Sequence, residues 1–534
     1  MEKNKEKVNK AFAGILNWIK KNPVEFWILL VILSVGAFLR LYKIDQYMTF
    51  LGDEGRDVII VRRLLVNFDP ILIGPGTSIG NMYLGPLYYY LIAPALFLAG
   101  YSPVGPAVLV AVLAVATIWL IWRVGREWFG KFAGLIAAGL YAISPTVIIY
   151  SRSSWNPNIM PFFSLLSVYA IWKVYESRGA SRGVGCWLLI TGVSSAFVLQ
   201  SHYLGLLLAP TLFLFWILTF RNLKLFRNST TKSVSLLEIR NFLQKSLIGF
   251  LIFAGLMSPL VIFDARHGWR NYEAMKQFIT VRQETVSIRP WKAIPNMWPI
   301  FEKANTRLLT ARNEIVGKTV SLILLFLIGW IIAGWKKIDH RLRIAYGILF
   351  IWLAFALIGL GLYKQEIYDH YYGFFFPAPF LLLGVTVSLI YGVTNSRVVK
   401  TLLVMGLGVL VYVNILNSPV RFPPNMQLQR SKAVAEKIAI ESGGKRFNLA
   451  VVAERNYEDG YQYFLEKEGR PVVDIDAQVP DTITDRLFVV CEMPKEKCDP
   501  THSPKAEVAN FGWTKIENEW EVYGVTIYKL VHTK

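Results

Sequence analysis

Long apolar runs joined by short basic connections fill the chain up to residue 417, and no run of comparable length follows. Crossing a bilayer takes about twenty consecutive apolar residues. Eleven stretches of roughly that length occur, at 24–42, 105–124, 131–149, 157–175, 184–200, 203–220, 244–263, 317–335, 343–362, 374–393 and 399–417. The first follows Lys3, Lys5, Lys7, Lys10, Lys20 and Lys21 but is too long for a signal-peptide core and has no small-residue cleavage site, so it reads as a retained span. A further apolar stretch at 84–100, LGPLYYYLIAPALFLAG, is interrupted by Pro86 and Pro94.

Charge decides between eleven spans and twelve. The short connections carry Arg123/Arg126/Lys131, Lys173/Arg178/Arg182, Arg221 through Lys245, Lys336/Lys337/Arg341/Arg343 and Arg397/Lys400. With eleven spans all of them share the cytoplasmic side with the Lys-rich N-terminus, as the positive-inside rule demands. The stretch at 84–100 then belongs to a long first external loop, 43–104, lying at or dipping into the interface. Twelve spans is the alternative, and it would invert every later loop. The basic segment 264–316, with Trp269, Trp291 and Trp298, predicts helices along the external surface.

Beyond residue 418 the pattern changes to a polar helix at 431–441, strand-like runs at 447–453, 471–475 and 487–491, and an alternating hairpin from Trp520 to Leu530. The expected architecture is an all-α polytopic membrane domain, 1–417, followed by a small extracytoplasmic α/β domain, 418–534.

Composition agrees with that division. Of 534 residues 54% are hydrophobic and only 18% charged, against about 25% charged in a soluble chain. The net charge of +20 is confined to the membrane part, since 418–534 holds 16 Lys/Arg against 18 Asp/Glu. Basic loops beside anionic lipid explain such an excess without nucleic acid. Three cysteines exclude a disulfide-built scaffold: Cys186 reads as a small buried thiol, and Cys491 and Cys498 can pair if the tail faces an oxidising compartment. There is no Walker loop, HExxH or CxxC pair, which argues against nucleotide chemistry.

On the eleven-span topology the polar clusters gather on the external side: LGDEGRD (51–57), SRSSWNPN (151–158), QSHY (200–203), FDARHGWRN (263–271) and YKQEIYDHYY (363–372). Asp53 and Glu54 sit between Gly52 and Gly55, with Arg56 and Asp57 next. A carboxylate there can take a proton from an acceptor hydroxyl or hold a divalent cation, or it can simply favour a helix N-terminus. Arg270 and His267, and less directly Arg152 and Lys364, are candidate ligands for a lipid phosphate, with headgroup anchoring as the other reading. Arg56, Tyr88, His202, Tyr203, Asp369, His370 and Tyr371 are candidates for a substrate cavity.

The order of an Asp-Glu pair after span one, GPLYYYL (85–91) and GREWFGKFAGLIAAGLYAISPTVIIYSR (125–152) resembles the GT-C membrane glycosyltransferases. Within them it is most similar to the branch of protein O-mannosyltransferases and the aminoarabinose transferases that modify lipid A. The resemblance implies transfer of a sugar, with inversion, from a polyprenyl-phosphate donor to an extracytoplasmic acceptor, protein, lipid or polysaccharide. Asp53 then matches the catalytic base and Glu54 its neighbour. The chain departs from the aminoarabinose transferases where they carry Glu-Lys and it has Tyr83-Leu84-Gly85. It also offers Trp155, Asn156 and Asn158 where oligosaccharyltransferases have a second acid, so no obligatory cofactor is expected, with a divalent cation as an option. A transporter or flippase, which should show polar, broken segments at mid-membrane, and a non-catalytic glycolipid-binding protein are the rival readings.

Overall fold

The computed structural model describes residues 13–14, 16–77, 82–177, 179, 183–227, 236–280, 285–287 and 289–533. Lys3, Lys5, Lys7, Lys10, Arg178 and Arg182 lie outside the described residues. Among the described residues eight helices are long and apolar enough to cross a membrane: Pro23–Leu41, Val104–Phe129, Val184–Ser201, Tyr203–Leu223, Leu236–Arg266, Glu314–Ala333, His340–Gly361 and Arg397–Leu416. The pair Asp369–Phe375 and Pro377–Val393, bent by 63°, makes a ninth if it counts as one span. The protein is thus a multi-pass membrane protein.

Two expected spans are shorter than a crossing, for local reasons. The run at 131–149 forms Lys131–Ile143 and Pro145–Tyr150, divided at Ser144 because Pro145 has no N–H to continue the ladder. The run at 157–175 begins as the 3₁₀ turn Asn156–Ile159 and becomes Met160–Glu176, of 17 residues. Gly130, at φ 97°, makes the reversal between Val104–Phe129 and Lys131–Ile143, a backbone conformation that side-chain-bearing residues rarely adopt. The apolar stretch at 84–100 forms a single helix, Leu87–Leu98, of 12 residues, too short to cross.

The segment 264–316 divides. Arg270–Thr280 is exposed, with Tyr272 and Met275 outward. Ile294–Leu309 instead enters the bundle, burying Ile300, Phe301, Ala304, Leu308 and Leu309. Its C-terminal carbonyls, Arg307 and Leu308, accept bonds of 2.7 Å from Thr146 and Ser144. The surface location expected for all of this segment therefore fails for its second half, where an amphipathic face finds a protein partner. Cys186 also departs from expectation: it is exposed on its helix.

The C-terminal part carries a four-stranded sheet, β1 (Asn448–Val452), β2 (Arg486–Cys491), β3 (Thr514–Val522) and β4 (Val525–His532), in the order β1-β2-β4-β3. β1 and β2 are parallel; the other pairs are antiparallel. The run at 471–475 is not a strand. It touches β1 through one bridge, Phe447–Val472, and the Asn448 side chain then takes the Val473 carbonyl at 2.7 Å. Cys491 and Cys498 form a disulfide.

The helices Gln427–Glu441 and Asp459–Lys467 join the sheet to the membrane part. Asp459–Lys467 lies against the first-loop helix Gly52–Asn67, where Arg63 pairs with Glu466 at 2.6 Å and the Tyr463 hydroxyl donates to the Tyr101 carbonyl at 2.5 Å. Phe50 packs edge-on against Tyr463 and Phe464.

Candidate active site

LGDEGRD forms the first turns of the helix Gly52–Asn67, with Leu51 extended before it. Its two adjacent acids part company there, because neighbouring helical side chains point about 100° apart. Glu54 turns inward and is buried. Its Oε2 accepts the Leu51 N–H at 3.0 Å, completing the N-terminus, and its Oε1 accepts the Ser153 hydroxyl at 2.8 Å. Burial pushes its carboxyl up to about 7, partly offset by those bonds.

Asp53 turns outward, its side chain 38% exposed. It sits on the wall of a cavity of about 180 Å³, whose other walls are Tyr150, Ser153, Trp155 and Asn158 from one segment and Arg455 and Tyr457 from the C-terminal domain. Asp53 Oδ1 accepts from Arg56 Nη1 at 2.8 Å and from the Tyr457 hydroxyl. Arg56 also forks onto Asp57 Oδ1, at 2.7 and 3.1 Å. Asp57 is fully buried and also accepts from Tyr89 at 3.2 Å; burial pushes its carboxyl up to about 6 against the pull of Arg56. Tyr88 bonds Ser154 at 2.7 Å, so the Pro-Tyr segment ties the acidic helix, through Tyr89, to the 151–158 segment that supplies Ser153.

The glycines around the acids have a definite task. A Cβ on Gly52 would lie 2.3 Å from the Tyr457 ring, and one on Gly55 would lie 2.3 Å from the backbone nitrogen of Gly460. They admit the C-terminal domain against the helix.

Behind Trp155 stands an aromatic group. His370 lies 4.5 Å from Trp155 and 5.9 Å from His202, which is 5.0 Å from Tyr371. Burial lowers His202, between two spans, to about 4, so it is neutral near pH 7. Asp369 is held by Arg312 at 2.7 Å and Arg307 at 3.5 Å. The Tyr203 hydroxyl donates to the Tyr83 carbonyl and accepts from Asn271, whose Oδ1 takes the Tyr83 N–H at 2.7 Å. The segment that replaces Glu-Lys is therefore stapled to FDARHGWRN through its backbone.

The four candidate phosphate ligands are dispersed, and none is among the described residues that line the Asp53 cavity. Arg152 is buried, bonding the Tyr42 carbonyl at 2.5 Å and lying 4.4 Å over the Tyr47 ring. Burial lowers it to about 10, which leaves it charged. His267 stacks on Phe263 at 4.0 Å and places Nδ1 2.7 Å from that residue's carbonyl. Arg270 opens the exposed helix Arg270–Thr280, whose first N–H groups bond the Asp264 carboxylate. Lys364 is exposed, and its backbone N–H bonds the Thr285 carbonyl at 2.9 Å.

Sequence reading missed Arg455, Asn456 and Tyr457 altogether. Their one signal is the Gly52/Gly55 pair, spaced one helical turn apart and so marking a face for close approach. Among the described residues no three His, Cys, Asp or Glu side chains converge as a metal site; Asp53 Oδ2 and Asn158 Oδ1 are side-chain oxygens on the cavity lining that take no hydrogen bond.

The architecture is that of the GT-C membrane glycosyltransferases. Residues 84–243 match the family model for dolichyl-phosphate-mannose-protein mannosyltransferase, a stretch that includes GPLYYYL and the 125–152 motif. The structure is similar to ArnT from Cupriavidus metallidurans bound to undecaprenyl phosphate, at 12% identity and a TM-score of 0.57, over 95% of this chain and 98% of that one. It is also similar to the archaeal oligosaccharyltransferase AglB from Archaeoglobus fulgidus in complex with an inhibitory peptide and a dolichol-phosphate, at 14% identity and 0.52, over 89% of this chain and 70% of that one. An Archaeoglobus fulgidus oligosaccharyltransferase complex with Zn and sulfate gives 13% and 0.52, over 87% and 68%. No curated protein sequence matches the chain.

Proposed function

We propose that the protein is an inverting glycosyltransferase that moves a hexose or pentose from a polyprenyl-phosphate carrier to an extracytoplasmic acceptor. The observation that carries this reading is the Asp53 carboxylate, partly exposed on the wall of a partly open cavity where the first external loop meets the end of a broken span. In this reading Asp53 Oδ2 takes the proton of the acceptor hydroxyl as its oxygen attacks the anomeric carbon. The carrier phosphate departs from the opposite face. A phosphate is already a fair leaving group, so one base and cations to stabilise the departing charge suffice. Arg455 is the cation on the cavity wall that engages neither Asp53 nor Asp57; Arg270, His267, Arg152 and Lys364 stay proposed for the phosphate as it emerges from the lipid. Glu54 serves by fixing the helix that presents Asp53.

Support comes from the fold, from the family match over 84–243, and from the two similar proteins bound to undecaprenyl phosphate and dolichol-phosphate. The polar clusters mark one membrane face, which favours an enzyme over a transporter. The scheme needs no resident cofactor, so turnover should survive chelation by EDTA; its abolition by EDTA and restoration by a divalent cation would assign Asp53 to metal binding instead. The reading is tested with purified protein in proteoliposomes, supplied with polyprenyl-phosphate mannose and then with other polyprenyl-phosphate hexoses and pentoses, followed by mass spectrometry of the acceptor.

A further inference from the structure

Tyr457 stands 404 residues from Asp53 in sequence, yet its hydroxyl donates to Asp53 Oδ1, the oxygen that also takes Arg56 Nη1. Neither donor engages Oδ2. The ring has little freedom, because it lies directly on Gly52. The preceding residue anchors the same turn twice: Asn456 Oδ1 accepts the Gly52 N–H at 2.9 Å, and its Nδ2 donates to Glu492 at 2.6 Å. Tyr461, in the helix that follows, also donates to Glu492. Packing on Gly52 needs only the ring, and phenylalanine would supply it. The hydroxyl serves the carboxylate.

We propose that Tyr457 is a positioning residue for Asp53: with Arg56 it occupies Oδ1 and turns the carboxylate so that Oδ2 alone is presented to the acceptor hydroxyl. The C-terminal domain thereby completes the reaction site as well as covering it. This inference rests on reading Asp53 as the base. The charged and titratable groups around Asp53 are Glu54, Arg56 and Asp57 on its own helix, Arg455, Tyr457 and Asp459 from the C-terminal domain, and Tyr150 from the opposite wall. Replacing the phenol by phenyl removes one donor and leaves the rest.

The test uses the full-length protein in proteoliposomes with the polyprenyl-phosphate mannose series, comparing wild type with Tyr457→Phe, Arg63→Ala and Asp53→Asn. Arg63→Ala breaks the ion pair with Glu466 at the same interface without touching the cavity, and so controls for loosened docking. Tyr457→Phe should lower kcat about tenfold, the loss of one charge-assisted hydrogen bond. It should leave the KM for donor within about twofold, since the donor does not bind through the phenol. Arg63→Ala should change neither. A Tyr457→Phe enzyme with wild-type kcat overturns the inference, as does an Arg63→Ala enzyme that reproduces the change. Should Asp53→Asn keep wild-type turnover, the base assignment itself fails, whatever Tyr457 does.

Discussion

Asp53 and Glu54 share a peptide bond and almost nothing of their surroundings. Glu54, buried and pushed up to about 7, holds its proton to a higher pH folded than unfolded. The folded state therefore binds more protons between about 4.5 and 7, and its contribution to stability is greatest at low pH and falls as pH rises through that window. Asp57, pushed up to about 6, acts in the same sense. Glu54→Gln should flatten the decline of melting temperature between pH 5 and pH 8 in detergent; parallel curves for variant and wild type would show that Glu54 does not titrate there. The sequence singles the pair out but does not show their different surroundings, since only the helix turn separates them. Tyr457 was illegible, because nothing local ties a tail tyrosine to a loop 404 residues away.

At the scale of elements, the first-loop helix and the helix Asp459–Lys467 meet through glycine. Gly55→Ala would bring a methyl to 2.3 Å from the Gly460 nitrogen, a backbone atom that cannot swing aside. Overpacking of this kind costs about 1–3 kcal/mol. Limited proteolysis should then release the C-terminal domain at lower protease concentration than in wild type, and an unchanged digestion profile would show that the close approach is dispensable. Apolar runs located the membrane helices well because lipid imposes one strong constraint, satisfaction of every backbone group within the segment. The failures have local causes. Pro145 divides 131–149, the Asn448 amide captures the carbonyl that would have extended 471–475 into a strand, and Ile294–Leu309 shows the same amphipathic face to protein that it would have shown to a membrane surface.

For the whole molecule, we propose a cytoplasmic N-terminus and an external C-terminal domain from the basic connections, a reading that a disulfide between Cys491 and Cys498 supports. In a Cys186→Ser background, Lys445→Cys, an exposed position on the C-terminal domain, should react with a membrane-impermeant maleimide in intact cells. Labelling only after permeabilisation would place the domain inside and reverse the topology. In the proposed reaction a membrane bundle that delivers a lipid carrier and a C-terminal domain that covers the cavity have to meet at one surface, and Asp53 lies where the two parts of the chain meet. The most direct measurement is the turnover of full-length Asp53→Asn in proteoliposomes with a polyprenyl-phosphate sugar that the wild type uses. The account predicts a fall in kcat of at least about 100-fold, with folding and donor binding retained, whereas transfer at the wild-type rate would contradict it.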